Sequence, residues 1–453
     1  MALGLVRKEK QTMSHSHNIA ARMGRWSAAH WKTATFGWLA IVIVAFAIGS
    51  AVGTKLIDPN TAGPGESGRM DRILDAGFKQ PAAETVLIQS DSAQTTDPAF
   101  KAAIVDVVSG ISGLAAVQNV RSPLDPANAG QISKDGRSAL VEFQIRGEKS
   151  EASDKVAPVL DYVKSAQEAH PELFIGEFGG EASAPYEADK AFGEDLGKAG
   201  VYSLPLTLLI LIVAFGALVA AGIPLLLGLT AVLATFGLVG LFSHVLPVAQ
   251  EAAAVVLLIG LAVGVDYSMF YLKREREERA AGRSEREALE IAAATSGRSV
   301  LISGLTVIVA MAGMFLTFDA TFSSFAVATI TVVAIAMLGS LTVLPALLSR
   351  LGDNVDRVHV PLVGRLRRDD GEGRMWGAII DRVLRRPVVS AGLAAGVLVA
   401  LALPALQLHM VKPGPDTFPQ SLQVVKTYKR MQQAFPGTAL PANVVVKAPD
   451  VNA

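Results

Sequence analysis

The segment from residue 251 to residue 272, EAAAVVLLIGLAVGVDYSMFYL, restricts the fold more than any other part of the chain. It is long and apolar enough to cross a bilayer as a helix. Yet it contains an aspartate, Asp266, followed by Tyr267. A charged side chain at the bilayer centre costs about 2.5–3.5 kcal/mol on insertion scales, so it normally faces other helices or a wet cavity. The segment therefore predicts a membrane-spanning helix with a functional polar side.

Apolar residues make up 51% of the chain and are concentrated in blocks of about twenty residues, the length of a membrane span. This distribution indicates an integral membrane protein rather than a soluble one. The blocks divide the chain into a cytoplasmic tail (1–33), a first span (34–54), an extracytoplasmic domain (55–198), a bundle of five spans (199–349), a cytoplasmic linker (350–387), a seventh span (388–410) and the start of a second extracytoplasmic domain (411–453).

Basic residues are unevenly distributed among the short loops. The loop after residue 272 begins KREREER, and the linker is rich in arginine, whereas the loops HVLPVAQ and FDATF contain no lysine or arginine. Because cytoplasmic loops carry an excess of lysine and arginine, this asymmetry predicts a cytoplasmic N terminus. We expect a multi-pass protein of the inner or plasma membrane, with the long polar region outside.

The polar region after the first span has the pattern of an α+β domain. Strands and helices are predicted in the order β-α-β-β-α-β, over residues 84–90, 97–114, 115–121, 138–146, 151–169 and 173–179. This is the order of the ferredoxin-like unit. The predicted fold class is therefore a membrane α-helical bundle with a ferredoxin-like extracytoplasmic domain.

The two ends of the chain resemble each other. The first span is followed by GRMDRILDAGF and then AAETVLIQSD, and the seventh span by VVKTYKRMQQAF and then PANVVVKAPD. A repeat of six spans and one outside domain would be related by an axis along the membrane normal. The alternative is chance similarity between two spans with polar flanks. We expect a fragment, or one part of a split protein, that holds the first repeat and the beginning of a second.

Asp266 and Tyr267 are the candidate functional residues. An apolar bundle disfavours the charged form of a carboxyl group, which would let Asp266 bind a proton from one side and release it to the other. The phenol of Tyr267 could donate a hydrogen bond to Asp266, join a water chain or bind a carboxylate on an absent half. The alternative is a structural Asp266 bonded to nearby backbone. Because intramembrane acids are functional candidates by default, we predict that the pair is a proton relay.

Small residues near the pair are candidates for relay support or for helix packing. Gly260 and Gly264 would let a neighbouring helix approach closely. In the next span, one helical face carries small and hydroxyl residues that we call the polar stripe: Ser299, Ser303, Thr306, Ala310, Gly313 and Thr317. The polar stripe, and Ser303 and Thr306 in particular, could line a proton path or face the central helix, and packing alone would also explain it.

The charged run 273–290 mixes glutamate and arginine at helical spacings, including Glu275 and Arg279. It predicts an exposed cytoplasmic helix with ion pairs between residues four apart. The chain has no cysteine, no phosphate-binding loop, no nucleophile elbow and no metal-ligand spacing. We therefore expect a protein that is not an enzyme and holds no cofactor or metal, with protons as the coupling ion.

Three stretches resemble the MMPL family, the mycobacterial-type large membrane proteins of the resistance-nodulation-division (RND) superfamily. They are GLAVGVDYSMFYLKREREER (260–279), SGRSVLISGLTVIVAMAGM (296–314) and LGSLTVLPALLSRLG (338–352). The resemblance implies half of an RND-type transporter that uses protons to export lipids or other hydrophobic molecules. In that family the Asp–Tyr pair of this helix is the proton relay, and a second pair lies in the second half.

Two other functions remain open at this point. One is a sterol-sensing-like module that binds lipids or serves assembly without pumping, and the other is a protein-translocation accessory of the same superfamily. The titratable pair favours the pump, because a sensor needs no titrating group. The expected partners are membrane lipids, a hydrophobic or lipid substrate, and the second half or a partner subunit, but no nucleic acid.

Overall fold

The computed structural model describes residues 18–57, 65–77, 81–177, 180–356, 371–408, 420 and 422–436. The helices and strands of the N-terminal part are α1 (Ile19–Ala29), α2 (Trp31–Val52), α3 (Gly65–Gly77), β1 (Ala83–Gln89), α4 (Pro98–Ser112), β2 (Val117–Arg121), β3 (Ser138–Ile145), α5 (Ala152–Lys155), α6 (Ala157–Ala169) and β4 (Phe174–Glu177). Those that follow are α7 (Ser183–Phe215), α8 (Leu218–Ser243), α9 (Ala252–Ala280), α10 (Glu285–Ala312), α11 (Ala320–Leu351), α12 (Gly371–Arg385), α13 (Pro387–Ala402) and α14 (Gln423–Ala434).

Among the described residues, seven helices are long and apolar enough to cross a membrane. They are α2, α7, α8, α9, α10 with its 3₁₀ extension to Thr317, α11, and α13 with its 3₁₀ extension to Gln407. Each coincides with one of the apolar blocks of the sequence. The chain is therefore a multi-pass membrane protein.

The chain divides into two compact units. One, the helical unit, comprises residues 1–64 and 198–391, and the other, the sheet unit, comprises residues 65–197 and 392–453. The stretch PANVVVKAPD (441–450), part of the predicted second repeat, lies outside the described residues.

Small residues bring the helices of the helical unit close together. A Cβ atom added to Gly49 of α2 would collide with the backbone of Gly237 in α8. On the same pair of helices, the indole Nε1 of Trp38 donates a hydrogen bond to Thr230 Oγ1 at 3.1 Å. Such close backbone approaches replace the hydrophobic driving force that helices lack inside a bilayer.

The first helix was not expected, because the sequence analysis treats residues 1–33 as a tail. Instead α1 packs against α10 and α11. Asn18 accepts a hydrogen bond from the backbone N–H of Ala21 and so caps the helix, while its amide nitrogen donates to the carbonyl of Ala294 at 2.9 Å. An ion pair of 3.0 Å joins Arg25 to Glu290. The residues before the first span therefore form part of the bundle.

The charged run 273–290 is not a single exposed helix. Residues up to Ala280 continue α9, and α10 begins at Glu285. The turn between them uses Gly282 at a positive φ of 85° and a capping box formed by Ser284 and Glu287. The predicted pair of Glu275 and Arg279 is present at 3.5 Å, but the Glu275 side chain is buried rather than solvated.

The sheet unit contains one four-stranded sheet with the strand order β2-β3-β1-β4, and every neighbouring pair is antiparallel. Its core lies between the sheet and the helices α4 and α6, with Val86, Ile104, Val141 and Val159 fully buried. Alternation of apolar and polar residues in β1 and β3 produces this arrangement, since successive side chains of a strand point to opposite faces.

The second face of the sheet is also covered. Met431 of α14 packs there with Leu87 and Leu140, and Arg430 donates a hydrogen bond to Gln89 Oε1 at 3.0 Å. The helix α14, which follows the seventh span, therefore covers the second face of the sheet whose strands follow the first span.

A buried carboxylate caps the N-terminal end of the long helix α7. Glu84 of β1 accepts hydrogen bonds from the backbone N–H groups of Ala182 (2.6 Å) and Ser183 (3.1 Å). These are among the first N–H groups of the helix, which have no partner within it. Negative charge at this end also favours the helix dipole. Glu84 thus fixes the start of α7 against the sheet.

Candidate functional site

Asp266 lies on the exposed side of α9. The side chains at every fourth position, which we call the Asp266 stripe, are all exposed: Leu258, Ala262, Asp266 and Phe270. Leu258 and Phe270 are 66% and 59% exposed, so this side of the helix is uncovered over three turns. Within the described part of the chain, Asp266 has no hydrogen-bond or ion-pair partner. The carboxyl group is thus the one titratable member of an otherwise apolar stripe.

Tyr267 points in a different direction. Its side chain is only 7% exposed and packs in a cluster with Ala20, Val300, Met337 and Leu341. Its hydroxyl oxygen lies 3.5 Å from the position that a Cβ atom would take at Gly304. The phenol therefore occupies the interior of the helical unit, between α9, α10 and α11.

The structure separates the two residues that the sequence analysis pairs. Consecutive residues of an α-helix are rotated by about 100° around its axis, so neighbours cannot share one face. No hydrogen bond joins Tyr267 to Asp266 among the described contacts. Of the three partners considered for the phenol, the adjacent carboxyl is thus not the one it has here.

The two glycines before Asp266 lie in helix contacts. A Cβ atom at Gly260 would come within 2.6 Å of Val232 and 2.7 Å of Val332. At Gly264 it would come within 2.6 Å of the Cα of Gly228 in α8. Both glycines therefore allow α9 to approach its neighbours, and neither carries a group that could move a proton.

The polar stripe, which runs along α10 and its 3₁₀ extension, is exposed along its whole length. Thr306 donates its hydroxyl hydrogen to the carbonyl of Ile302 at 2.8 Å, whereas Ser303 has no hydrogen-bond partner among the described residues. The stripe does not face into the contact with α9, where the buried residues of α10 include Val300 and Gly304. Ser303 and Thr306 are thus available to a group that approaches the helical unit from outside.

The extent of the Asp266 stripe was missed by the sequence analysis, although its signal is present. Leu258, Ala262, Asp266 and Phe270 are spaced four residues apart, but their neighbours are equally apolar, so the spacing does not stand out. Only the packing of α8, α10 and α11 around α9 shows which side is left uncovered. No group of three or more possible metal ligands occurs among the described residues.

Comparison with known proteins agrees with this architecture. The chain is 31% identical over 418 residues to a membrane protein of Streptomyces coelicolor, a match that covers 90% of the chain and 57% of the relative. It is 30% identical over 390 residues to the mycolic acid-containing lipids exporter MmpL11 of Mycolicibacterium smegmatis, covering 85% of the chain and 40% of the exporter. The chain thus spans about half the length of these relatives.

A solved structure shares the fold. The hedgehog release protein Disp from the water bear Hypsibius dujardini superposes with a TM-score of 0.54 at 15% sequence identity, over 74% of this chain and 49% of that one. The model of the MMPL family matches residues 62–390, which include the sheet and the bundle around α9. On these grounds the chain belongs to the MMPL family of the RND superfamily.

Proposed function

We propose that the chain forms one half of a transporter that uses the proton-motive force to export lipids or other hydrophobic molecules from the inner membrane. It is not an enzyme in this proposal, and protons are its coupling ion. Lipid export is supported by the similarity to the MmpL11 exporter. Because the chain spans only part of that relative, the activity belongs to the complete protein rather than to this chain alone.

The observation that carries the proposal is the position of Asp266. It lies on a membrane-spanning helix, on an exposed stripe, and without a partner in the described part of the chain. A carboxyl group that faced lipid there would be costly, which is why such groups normally face a cavity or another helix. A second half that covers the Asp266 stripe and the polar stripe would enclose the carboxyl group with the hydroxyls of Ser303 and Thr306. That enclosure would form a proton path.

Tyr267 has a positioning role in this proposal. Its ring is held in the cluster with Met337 and Leu341, next to Gly304 of α10. When Asp266 gains or loses a proton, a small movement of α9 would reach α10 through the ring of Tyr267. The membrane potential contributes about 2.3 kcal/mol per charge per 100 mV to such a cycle.

The arginine-rich loop and linker support a cytoplasmic N terminus, and with that orientation the four-stranded sheet and its helices α4 and α6 would lie outside the membrane. The strand order β2-β3-β1-β4 with antiparallel neighbours supports a ferredoxin-like domain. In the proposed exporter, this domain would receive the hydrophobic molecule after it leaves the bundle.

The proposal is tested with the complete protein in liposomes that contain pyranine and a fluorescent phosphatidylethanolamine. An imposed pH gradient should drive both proton flux and movement of the fluorescent lipid. Asp266→Asn should abolish both, because an amide cannot release a proton at these pH values. Glu251→Gln is the matched control, since it makes the same change at an exposed position just before α9 and should leave both signals intact.

If the protein is instead a lipid-binding module that does not pump, the same experiment gives a different result. In that case the wild-type protein would bind the fluorescent lipid but carry no proton flux under the gradient. Equal proton flux in the wild type and in Asp266→Asn would instead refute the assignment of Asp266 as the relay.

A further inference from the structure

An open, shallow cavity of about 540 Å³ lies between the last turns of α9 and the middle of α10. Its lining consists of Arg274, Ala294, Thr295, Ser296, Arg298, Ser299 and Ile302. Two of these residues are cationic, three carry hydroxyl groups, and none is acidic. The cavity therefore offers hydrogen-bond donors and positive charge to whatever enters it.

The two arginines differ in how their charge is compensated. Arg274 forms ion pairs with Glu277 (3.4 Å) and Glu278 (2.6 Å). Arg298 is exposed and has no ion pair within the described ranges, and Ser296 likewise has no hydrogen-bond partner there. The hydroxyls of Thr295 and Ser299 already donate to the backbone carbonyls of Ile291 and Thr295. Arginine holds phosphate through two parallel hydrogen bonds, which makes the uncompensated guanidinium of Arg298 beside the free hydroxyl of Ser296 suitable for a phosphate group.

An exposed apolar stripe runs along α10 away from Arg298. It comprises Ile302 (54% exposed), Leu305 (49%) and Val309 (72%), which follow Arg298 at steps of four, three and four residues. At 1.5 Å per residue the distance from Arg298 to Val309 is roughly 16 Å. This is about half the thickness of the hydrocarbon core, which is the depth of one leaflet. The charged end and the apolar stripe together match the shape of one phospholipid.

We propose that this cavity binds the phosphate of an anionic phospholipid, with the headgroup at Arg298 and Ser296 and an acyl chain along Ile302, Leu305 and Val309. The positive lining without a carboxylate favours phosphatidylglycerol over phosphatidylcholine, whose choline cation would be repelled. This site is separate from Asp266 and does not depend on the proposed export activity.

The test is lipid binding to the full chain in a non-ionic detergent, measured by native mass spectrometry with dioleoylphosphatidylglycerol. Arg298→Gln should weaken the highest-affinity binding about fivefold, the effect of one basic residue near an anionic lipid surface. Arg286→Gln is the matched control. It makes the same change on the same helix, at an exposed arginine that is outside the cavity and without an ion pair among the described residues. Equal weakening by the two variants would overturn the proposal.

Two further ligands show whether the bound phosphate belongs to a lipid or to a soluble compound. Inorganic phosphate and dihexanoylphosphatidylglycerol, whose acyl chains are short, should bind more weakly than the dioleoyl lipid, because they do not reach Val309. If inorganic phosphate binds as tightly as the long-chain lipid and is lost in Arg298→Gln, the site takes a soluble phosphate compound and the lipid assignment is wrong. Equal binding of dioleoylphosphatidylcholine would also contradict it.

Discussion

Gly264 of α9 lies so close to Gly228 of α8 that a Cβ atom added to Gly264 would come within 2.6 Å of the Cα of Gly228. A contact between two backbones leaves no side chain that could move aside. It fixes the rotation of α9 about its axis, and Gly260 between Val232 and Val332 fixes the same side one turn earlier. The outward direction of Asp266 is a consequence of these two glycines.

Gly264→Ala should therefore destabilise the bundle. Overpacking of a close contact typically costs about 1–3 kcal/mol, and here the obstacle is backbone. The measurement is the thermal unfolding midpoint in detergent, followed by tryptophan fluorescence. Gly222→Ala in α8 is the control, because a Cβ atom there meets nothing within 4 Å. A methyl group in that open space should be neutral or stabilise by up to about 1 kcal/mol. Equal midpoints for the two variants would show that the α8–α9 contact is looser than described.

The exposure of the Asp266 stripe can be measured with single cysteines, because the chain has none of its own. Ala262→Cys and Asp266→Cys should react several-fold faster with N-ethylmaleimide in detergent than Val265→Cys, which replaces a side chain that is only 9% exposed. Reaction requires access of the reagent to the thiolate, so the rates report which side of α9 is covered. Faster labelling at position 265 than at position 266 would mean that α9 is rotated from the orientation described here.

The docking of α1 depends on Asn18. Its side chain caps α1 through Ala21 and also donates to the carbonyl of Ala294 in α10. Loss of a cap costs about 0.5–2 kcal/mol, and Asn18→Ala removes the second contact as well. We expect faster hydrogen exchange throughout α1 in this variant. Arg22→Ala, at an exposed position on the same helix, should leave the exchange unchanged. Unchanged protection in Asn18→Ala would mean that the Arg25–Glu290 pair and the apolar contacts suffice.

Hydropathy alone predicted the spans, because a run of about twenty apolar residues has the length that a helix needs to cross the hydrocarbon core. The strands were predicted within a few residues as well, since ETVLIQS and SALVEFQIR have the apolar pattern and β-branched content of strands. Helix ends were harder to predict. The structure begins α7 at Ser183, well before its apolar block, because Glu84 provides a cap that is distant in sequence.

The directions of side chains could not be predicted from the central segment. In a helix that is apolar all round, the pattern does not distinguish buried from uncovered sides, so Asp266 and Tyr267 were treated as a pair. Packing of Tyr267 with Met337 and Leu341 depends on α11, which lies about seventy residues further along the chain. The docking of α1 was missed for the same reason, since its partners Ala294 and Glu290 are distant in sequence.

The pH dependence of the sheet unit provides a final prediction. Tyr162 of α6 donates its hydroxyl hydrogen to the backbone carbonyl of Asp106 at 2.9 Å, and a Cβ atom at Gly110 would collide with its ring. Burial raises the pKa of Tyr162 above its usual value of about 10, and the negative charge of Asp106 raises it further. The folded domain therefore keeps this proton to a higher pH than the unfolded chain does.

Because the folded-state pKa is the higher one, the stabilisation is fully present below pH 10 and is lost as the pH rises through the raised value. Hydrogen exchange of α4 and α6 in the intact protein, corrected for the intrinsic rate, should thus accelerate above pH 10. Tyr162→Phe has no group to titrate at this position and keeps the ring beside Gly110, so its corrected exchange should accelerate less than that of the wild type over this range. Tyr202→Phe is the control, because Tyr202 is 74% exposed and lies outside this domain. If Tyr162→Phe retained the full alkaline acceleration of the wild type, another group would be responsible and the contact with Asp106 would have no part in it.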